Sequence, residues 1–297
     1  MLLLGWLACA QGPSGDPVVE AHRGGAALWP ENSRTAMLGA IAAGFEGLEF
    51  DVVLTADRVP VLSHDPTVNA HTCTTVDGQP VAEGLLIQDF TLRELQEGFV
   101  CGALPDPAFP EVALVPESHM SWSELLVALT DPAAEGMEVH IDVKYEPDQT
   151  PSADDFATAI LEPWWVTGLD NPMFVSANLV DALAAFQTLA EARDEPLRTS
   201  LIWPRFTPET SSTVTGLQHE LLKTLGIESL AGLARDAGAD GIAVPYQLID
   251  RTGALEAWQA GIDVRVWTLN DTTLLDEYCD WPIGGVITDI PDQAPCG

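Results

Sequence analysis

Eight apolar runs of strand length alternate with amphipathic stretches along this chain, and no other feature limits its fold as strongly. The runs lie at 18–23, 47–54, 138–144, 172–177, 198–203, 240–244, 263–269 and 284–288. Between them stand helical patterns such as "SRTAMLGAIAAG" at 33–44 and "LVDALAAFQTLAEAR" at 179–193. Strands alternating with helices predict a parallel sheet covered by helices. Eight such units close a TIM (β/α)8 barrel, a fold of ~250 residues. The chain has 297 residues, 46% of them hydrophobic, enough for one such α/β core. A doubly wound open sheet is the alternative. No GxGxxG or P-loop follows the first strand, which counts against it.

Residues of about 66–120 break the rhythm. They are rich in Pro, Gly and Thr and hold Cys73 and Cys101. The stretch is expected to be a small subdomain inserted on the active face of a barrel spanning 17–297. Before it, residues 1–16 have a different character. "MLLLGWLAC" is apolar but shorter than the ~20 residues that cross a bilayer, so no transmembrane helix is expected. It lacks a basic n-region. The run ending at Ala8-Cys9 nevertheless resembles the tail of a bacterial lipoprotein signal, with a lipid anchor at Cys9. The expected location is therefore the cell envelope, the periplasm or the outside. Four other cysteines remain, and Cys73–Cys101 with Cys279–Cys296 is the sequence-local pairing of three possible ones. Disulfides suit an exported protein.

The chain carries 45 Asp+Glu against 12 Lys+Arg, a net charge of -33. Nucleic-acid binding rests on cationic side chains neutralising phosphates, so this composition excludes it as a partner. Acidic lipid surfaces are disfavoured for the same reason.

Strand alternation then sorts the charged residues. A barrel strand points alternate side chains at the helices and at the interior. In "GLEFDVVL", Leu48, Phe50 and Val52 take the helix side, which sends Glu49 and Asp51 inward. In "EVHIDVKY", Val139, Ile141 and Val143 face the helices, and His140, Asp142 and Lys144 face inward. Buried carboxylates need a partner or a proton. Glu49, Asp51 and Asp142 are expected to converge on one hard divalent cation, Ca²⁺ or Mg²⁺, for which oxygen-only ligation is suited. His22 and Arg23 end the first strand, where barrel enzymes carry catalytic groups. Gly24 and Gly25 follow and permit a sharp turn. His64 and Asp65 end a second run, "VPVLSHDPT". Two imidazoles, two cations and three acids form a set able to cleave a phosphate ester by acid-base catalysis.

These residues resemble the glycerophosphodiester phosphodiesterases. "AHRGG…PENSRTAMLGAIAAGFEGLEFDVVLTADRVPVLSHDPTV" is similar to the front half of that family, with Ser33 where Thr is usual. "VHIDVK", "VRVWTLND" and "GGVITDIPD" resemble its later motifs in order. The resemblance implies a TIM barrel with a small insertion. It implies metal-dependent hydrolysis of small glycerophosphodiesters to glycerol 3-phosphate and an alcohol. By motif it makes His22 and His64 the general acid/base pair, puts Arg23 and Lys144 on phosphate, and gives the metal to Glu49, Asp51 and Asp142. Glu31 would brace Arg23 or its loop, and Trp267 would wall the pocket. The family usually has Glu where this chain has Asp142. Related sphingomyelinase-D-type barrels resemble the Asp version. A phospholipase-D-type enzyme acting on lysophospholipid or sphingolipid headgroups is therefore one alternative, and an inactive surface-anchored binding barrel is another.

Overall fold

The computed structural model describes residues 16–204 and 229–296. Residues 1–15 of the expected leader, Cys9 among them, lie outside these. The eight expected strands all form: β1 (Val18–Ala21), β2 (Gly47–Leu54), β6 (Glu138–Val143), β7 (Met173–Ala177), β8 (Arg198–Ile202), β9 (Gly241–Pro245), β10 (Asp263–Trp267) and β11 (Gly285–Thr288). They are parallel neighbours in the order β1-β11-β10-β9-β8-β7-β6-β2. The pairing of Glu20 with Gly47 and Ala21 with Leu48 joins β2 back to β1 and closes the cylinder. The fold is a TIM barrel, not an open sheet.

The helix-facing positions are apolar, as alternation requires. Leu48, Phe50, Val52, Val139 and Ile141 are all fully buried in one core shared with the surrounding helices. Local sequence sets the helix ends. Ser33 caps Arg34–Ala43 by accepting from the Ala36 amide, and Gly44 closes it in the left-handed region. Thr91 with Glu94, Ser121 with Glu124 and Ser152 with Asp155 form reciprocal capping boxes.

Strand β1 stops two residues short of the expected 18–23. His22–Gly24 is a 3₁₀ turn in which Arg23 sits at φ 53. Gly24 and Gly25 follow at φ 85 and 98, a region costly for residues with a Cβ. The turn swings Arg23 across the barrel mouth instead of leaving it in the strand.

The stretch from about 66 to 120 packs on a scaffold that begins just before it. Strand β3 (Pro60–Leu62) adds antiparallel to β2, and β4 (Thr74–Thr75) pairs with β5 (Phe99–Val100). Val53, Val61, Val68, Cys73, Ile87 and Leu95 lie in a second, smaller apolar cluster beneath it. Disulfides join Cys73 to Cys101 and Cys279 to Cys296, the sequence-local pairing.

The lower barrel interior is ionic. Arg265, 2% exposed, reaches Glu20 at 2.6 Å and Glu138 at 2.5 Å, and its guanidinium lies 4.6 Å over the Phe174 ring. His140 bridges Glu20 and Ser176 at 2.5 and 2.7 Å. A side chain at Gly285 would collide with both Arg265 and Glu20, so glycine there makes room for the pair. His140 faces inward as expected, but it belongs to this floor and not to the catalytic mouth. Removing one partner from a buried ion network strands the others. Arg265→Ala should therefore cost ~3–5 kcal/mol in urea unfolding. A loss under about 1 kcal/mol would mean that Glu20 and Glu138 tolerate burial without it. Burial raises the Glu20 pKa, but His140 and Arg265 overcome this and hold it down to about 2 from its ordinary 4.5. A depressed carboxyl contributes stability above its unfolded value. That contribution should fade as pH falls from about 4.5 towards about 2.

Candidate active site

The register of β2 against β6 sets Asp51 beside Asp142 and Glu49 beside His140. Both strands send these residues inward. Glu49, Asp51 and Asp142 are buried, and one oxygen from each lies within 4.8 Å of the others. The expected three-acid cluster is therefore assembled. Lys144, one residue past β6, places Nζ 2.8 Å from Asp51 Oδ1 and 2.5 Å from Asp142 Oδ2. Arg23 pairs with Glu31, sets Nε 3.3 Å from Asp51 Oδ2, and donates its backbone amide to Glu49 Oε2 at 2.8 Å. Glu31 thus lies against Arg23.

Burial, with the charges of Asp51 and Asp142, pushes the Glu49 carboxyl well above the usual range. Burial acts on Asp51 in the same sense, but Lys144, His64, Arg23 and His22 hold it well below. Burial also opposes a charged Lys144, yet Asp142 and Asp51 raise its pKa above the ordinary lysine value. Three close oxygens, one of them forced towards its protonated form by its neighbours, form a set whose repulsion a hard cation would relieve. The residues present fit a divalent cation.

Each candidate histidine has a carboxylate behind it. His22 Nδ1 lies 2.6 Å from Asp289 Oδ1, and Asp289 also accepts from Asn270 Nδ2 at 2.6 Å. His64 Nδ1 lies 2.9 Å from Asp65 Oδ1. A carboxylate only accepts, so each ring carries a proton on Nδ1 and leaves Nε2 for chemistry. The Ser63 amide donates to the Asp51 carbonyl at 3.1 Å, which fastens the His64 strand end beside the acid cluster. His22 adjoins Arg23 in the turn described above. Both histidines thus lie close enough to the carboxylates to act electrostatically on Asp51.

Trp267 is the last residue of β10 and pairs in register with Pro245, which puts it at the same barrel end. Three further residues within the same motifs support the site. Asn32, at φ 51, donates Nδ2 to Asp51 Oδ2 at 2.7 Å and accepts the Asp51 amide at 3.1 Å. Asn270 and Asp289 form the His22 support, with Asn270 Oδ1 also accepting from Thr288. The available signal was their position inside "PEN", "WTLND" and "TDIPD", next to residues already singled out.

Comparison with known proteins agrees with this fold. The family model for the glycerophosphoryl diester phosphodiesterase family matches residues 22–293. Glycerophosphodiester phosphodiesterase 1 of Bos taurus is 48% identical over 52 residues, 18% of this chain and 16% of the relative. Glycerophosphodiester phosphodiesterase of Caldanaerobacter subterraneus is 40% identical over 80 residues, 27% of this chain and 29% of the relative. These matches thus span less than a third of either relative's length. A candidate glycerophosphoryl diester phosphodiesterase of Silicibacter pomeroyi superposes with a TM-score of 0.78 at 21% identity, covering 96% of this chain and 94% of that one. An Oleispira antarctica phosphodiesterase, solved with its product sn-glycerol-3-phosphate, gives 0.66 at 20% identity, over 94% and 95% of the two chains.

Proposed function

The chain belongs to the glycerophosphoryl diester phosphodiesterase family, and from that membership and the site we propose that it hydrolyses glycerophosphodiesters to glycerol 3-phosphate and an alcohol. The observation that carries this reading is the pair of carboxylate-backed histidines close to the buried Glu49, Asp51 and Asp142 cluster. Arg23 and Lys144 bind the phosphoryl oxygens and oppose their charge. His22 Nε2 removes a proton from the nucleophile, either water or the substrate's own glycerol 2-hydroxyl. The new oxygen–phosphorus bond forms as the bond to the leaving alkoxide breaks, and His64 Nε2–H protonates that alkoxide. With the 2-hydroxyl as nucleophile, a cyclic phosphate forms first and water opens it in a second turn of the same pair. Asp289 and Asp65 keep the two rings in the required tautomer and stabilise each imidazolium when it forms. A Ca²⁺ or Mg²⁺ ion on the three acids would supply positive charge against the phosphorane-like transition state. Trp267 walls the mouth.

The two disulfides support an oxidising compartment, and the reading therefore carries export, with Cys9 as the anchor. Among the described residues no helix is long and apolar enough to cross a membrane. Product analysis tests the activity. Free glycerol 3-phosphate from glycerophosphocholine is expected. Lysophosphatidic acid from a lysophospholipid, with glycerophosphocholine untouched, would replace this reading with the phospholipase-D type.

A further inference from the structure

A cleft open to solvent runs from His64 and Asp65 at the barrel mouth to residues 101–119 of the insertion. The Cys73–Cys101 disulfide with Leu104, Val112 and Leu114 forms its apolar wall. Four carboxylates line it, Glu31, Asp65, Asp106 and Glu117, and among the described residues no lysine or arginine does. Two of the four are matched by partners that carry or can carry positive charge: Glu31 pairs with Arg23 and Asp65 with His64. Among the described residues, the other two have neutral donors only. Asp106 accepts from the Ala108 amide, and Glu117 accepts from the amide and hydroxyl of Thr35. Their negative charge is left facing the cleft.

His119 supplies an independent observation. It is 7% exposed and lines the same cleft. Its Nε2 lies 3.7 Å from Cys101 Sγ. That sulfur is in a disulfide and has no proton, so the ring must be the donor there. Nδ1 is then a bare acceptor, and it has no hydrogen-bond partner among the described residues. Burial lowers the His119 pKa to about 4, so at neutral pH the ring adds no positive charge. A buried acceptor without a donor is costly, and this one belongs to a residue that lines the cleft.

Resting on the diesterase reading above, we propose that this cleft holds the alcohol half of the diester and selects alcohols that carry a protonated primary amine. Its lining offers acceptors and negative charge, and the missing complement is a cation with N–H groups. A quaternary ammonium brings the charge without the donors. A neutral polyol brings donors without the charge. The position suits the leaving group, because the histidine assigned to protonate the departing alkoxide, His64, forms one end of the cleft. The apolar wall covers the carbon spacer between oxygen and nitrogen.

Three diesters sharing the glycerol 3-phosphate half test this: glycerophosphoethanolamine, glycerophosphocholine and glycerophosphoglycerol, with released glycerol 3-phosphate as the readout. The expected kcat/KM order is ethanolamine, choline, glycerol, with the first at least roughly tenfold above the last. Asp106→Asn and, separately, Glu117→Gln should each shrink the ethanolamine-to-glycerol ratio to about threefold or less. Glu117 also holds Thr35 at a helix start, so Asp106→Asn keeps the test decisive if the other variant misfolds. Equal kcat/KM for all three diesters in the parent would overturn the inference and leave the activity standing. So would a preference that neither variant moves. No glycerol 3-phosphate from any of the three would instead overturn the activity, and this inference with it.

Discussion

His64→Ala and His22→Ala should each lose about 10²–10⁴-fold in kcat with folding intact, the range for a positioned acid or base. Both side chains are partly exposed, at 38% and 16%, so truncation opens no sealed cavity. The double variant should lose far less than the product of the two, because groups that act as a unit are not additive. The two positions separate by substrate. A diester with a good leaving group, such as a nitrophenyl ester, needs no proton on departure. It should rescue His64→Ala by at least about tenfold and leave His22→Ala impaired. Asp289→Asn tests the support: kcat should drop by at least about tenfold with KM nearly unchanged, because the ring loses its tautomer lock and not its phosphate contact. Turnover within tenfold of the parent in either alanine variant would remove that histidine from the mechanism.

The strands and the acid cluster could be read from the sequence because alternation is a local property. "GLEFDVVL" has apolar residues at every second position, and burial of Leu48, Phe50 and Val52 forces Glu49 and Asp51 onto the other side. The same holds for Val139, Ile141 and Asp142. The histidines could be found because they end apolar runs beside glycine or proline. What the sequence hid is set by pairs distant along the chain. Asp289 reaches His22 across 267 positions, and Arg265 reaches Glu20 across 245. Neither pairing has a local pattern, and both depend on β1 meeting β11 as the barrel closes. The turn at Arg23 was hidden too, because the tendency of Val18–Ala21 to extend runs straight into it. The left-handed backbone of Arg23, Gly24 and Gly25 ends the strand early. The cleft beside His64 depends on how a disulfide and a chain of turns fold the insertion back over the mouth, and composition alone does not encode that.

Removal of divalent cations should abolish activity, and the folded protein should report the same ion without any substrate. EDTA-treated enzyme is expected to fall below about 1% of the parent rate and to recover with added Ca²⁺ or Mg²⁺. A ligand that binds only the folded state stabilises it by about 2.7 kcal/mol at one hundred times its Kd. For a domain of this size that is a rise of roughly 4–6 °C in Tm. Glu49→Gln separates a cation site from an ordinary buried salt bridge. Burial together with Asp51 and Asp142 already drives Glu49 towards its neutral form, so a neutral amide in its place should change the cation-free Tm by only a few degrees. The amide should nevertheless remove most of the cation-induced rise, because it replaces an anionic ligand with a neutral one. Affinity in the parent should also strengthen as pH rises, since binding displaces the proton held on Glu49. Full activity in EDTA, or a Glu49→Gln variant whose Tm still climbs with Ca²⁺ or Mg²⁺ as the parent's does, would mean that Lys144 and Arg23 alone neutralise the cluster and that the three acids hold no ion.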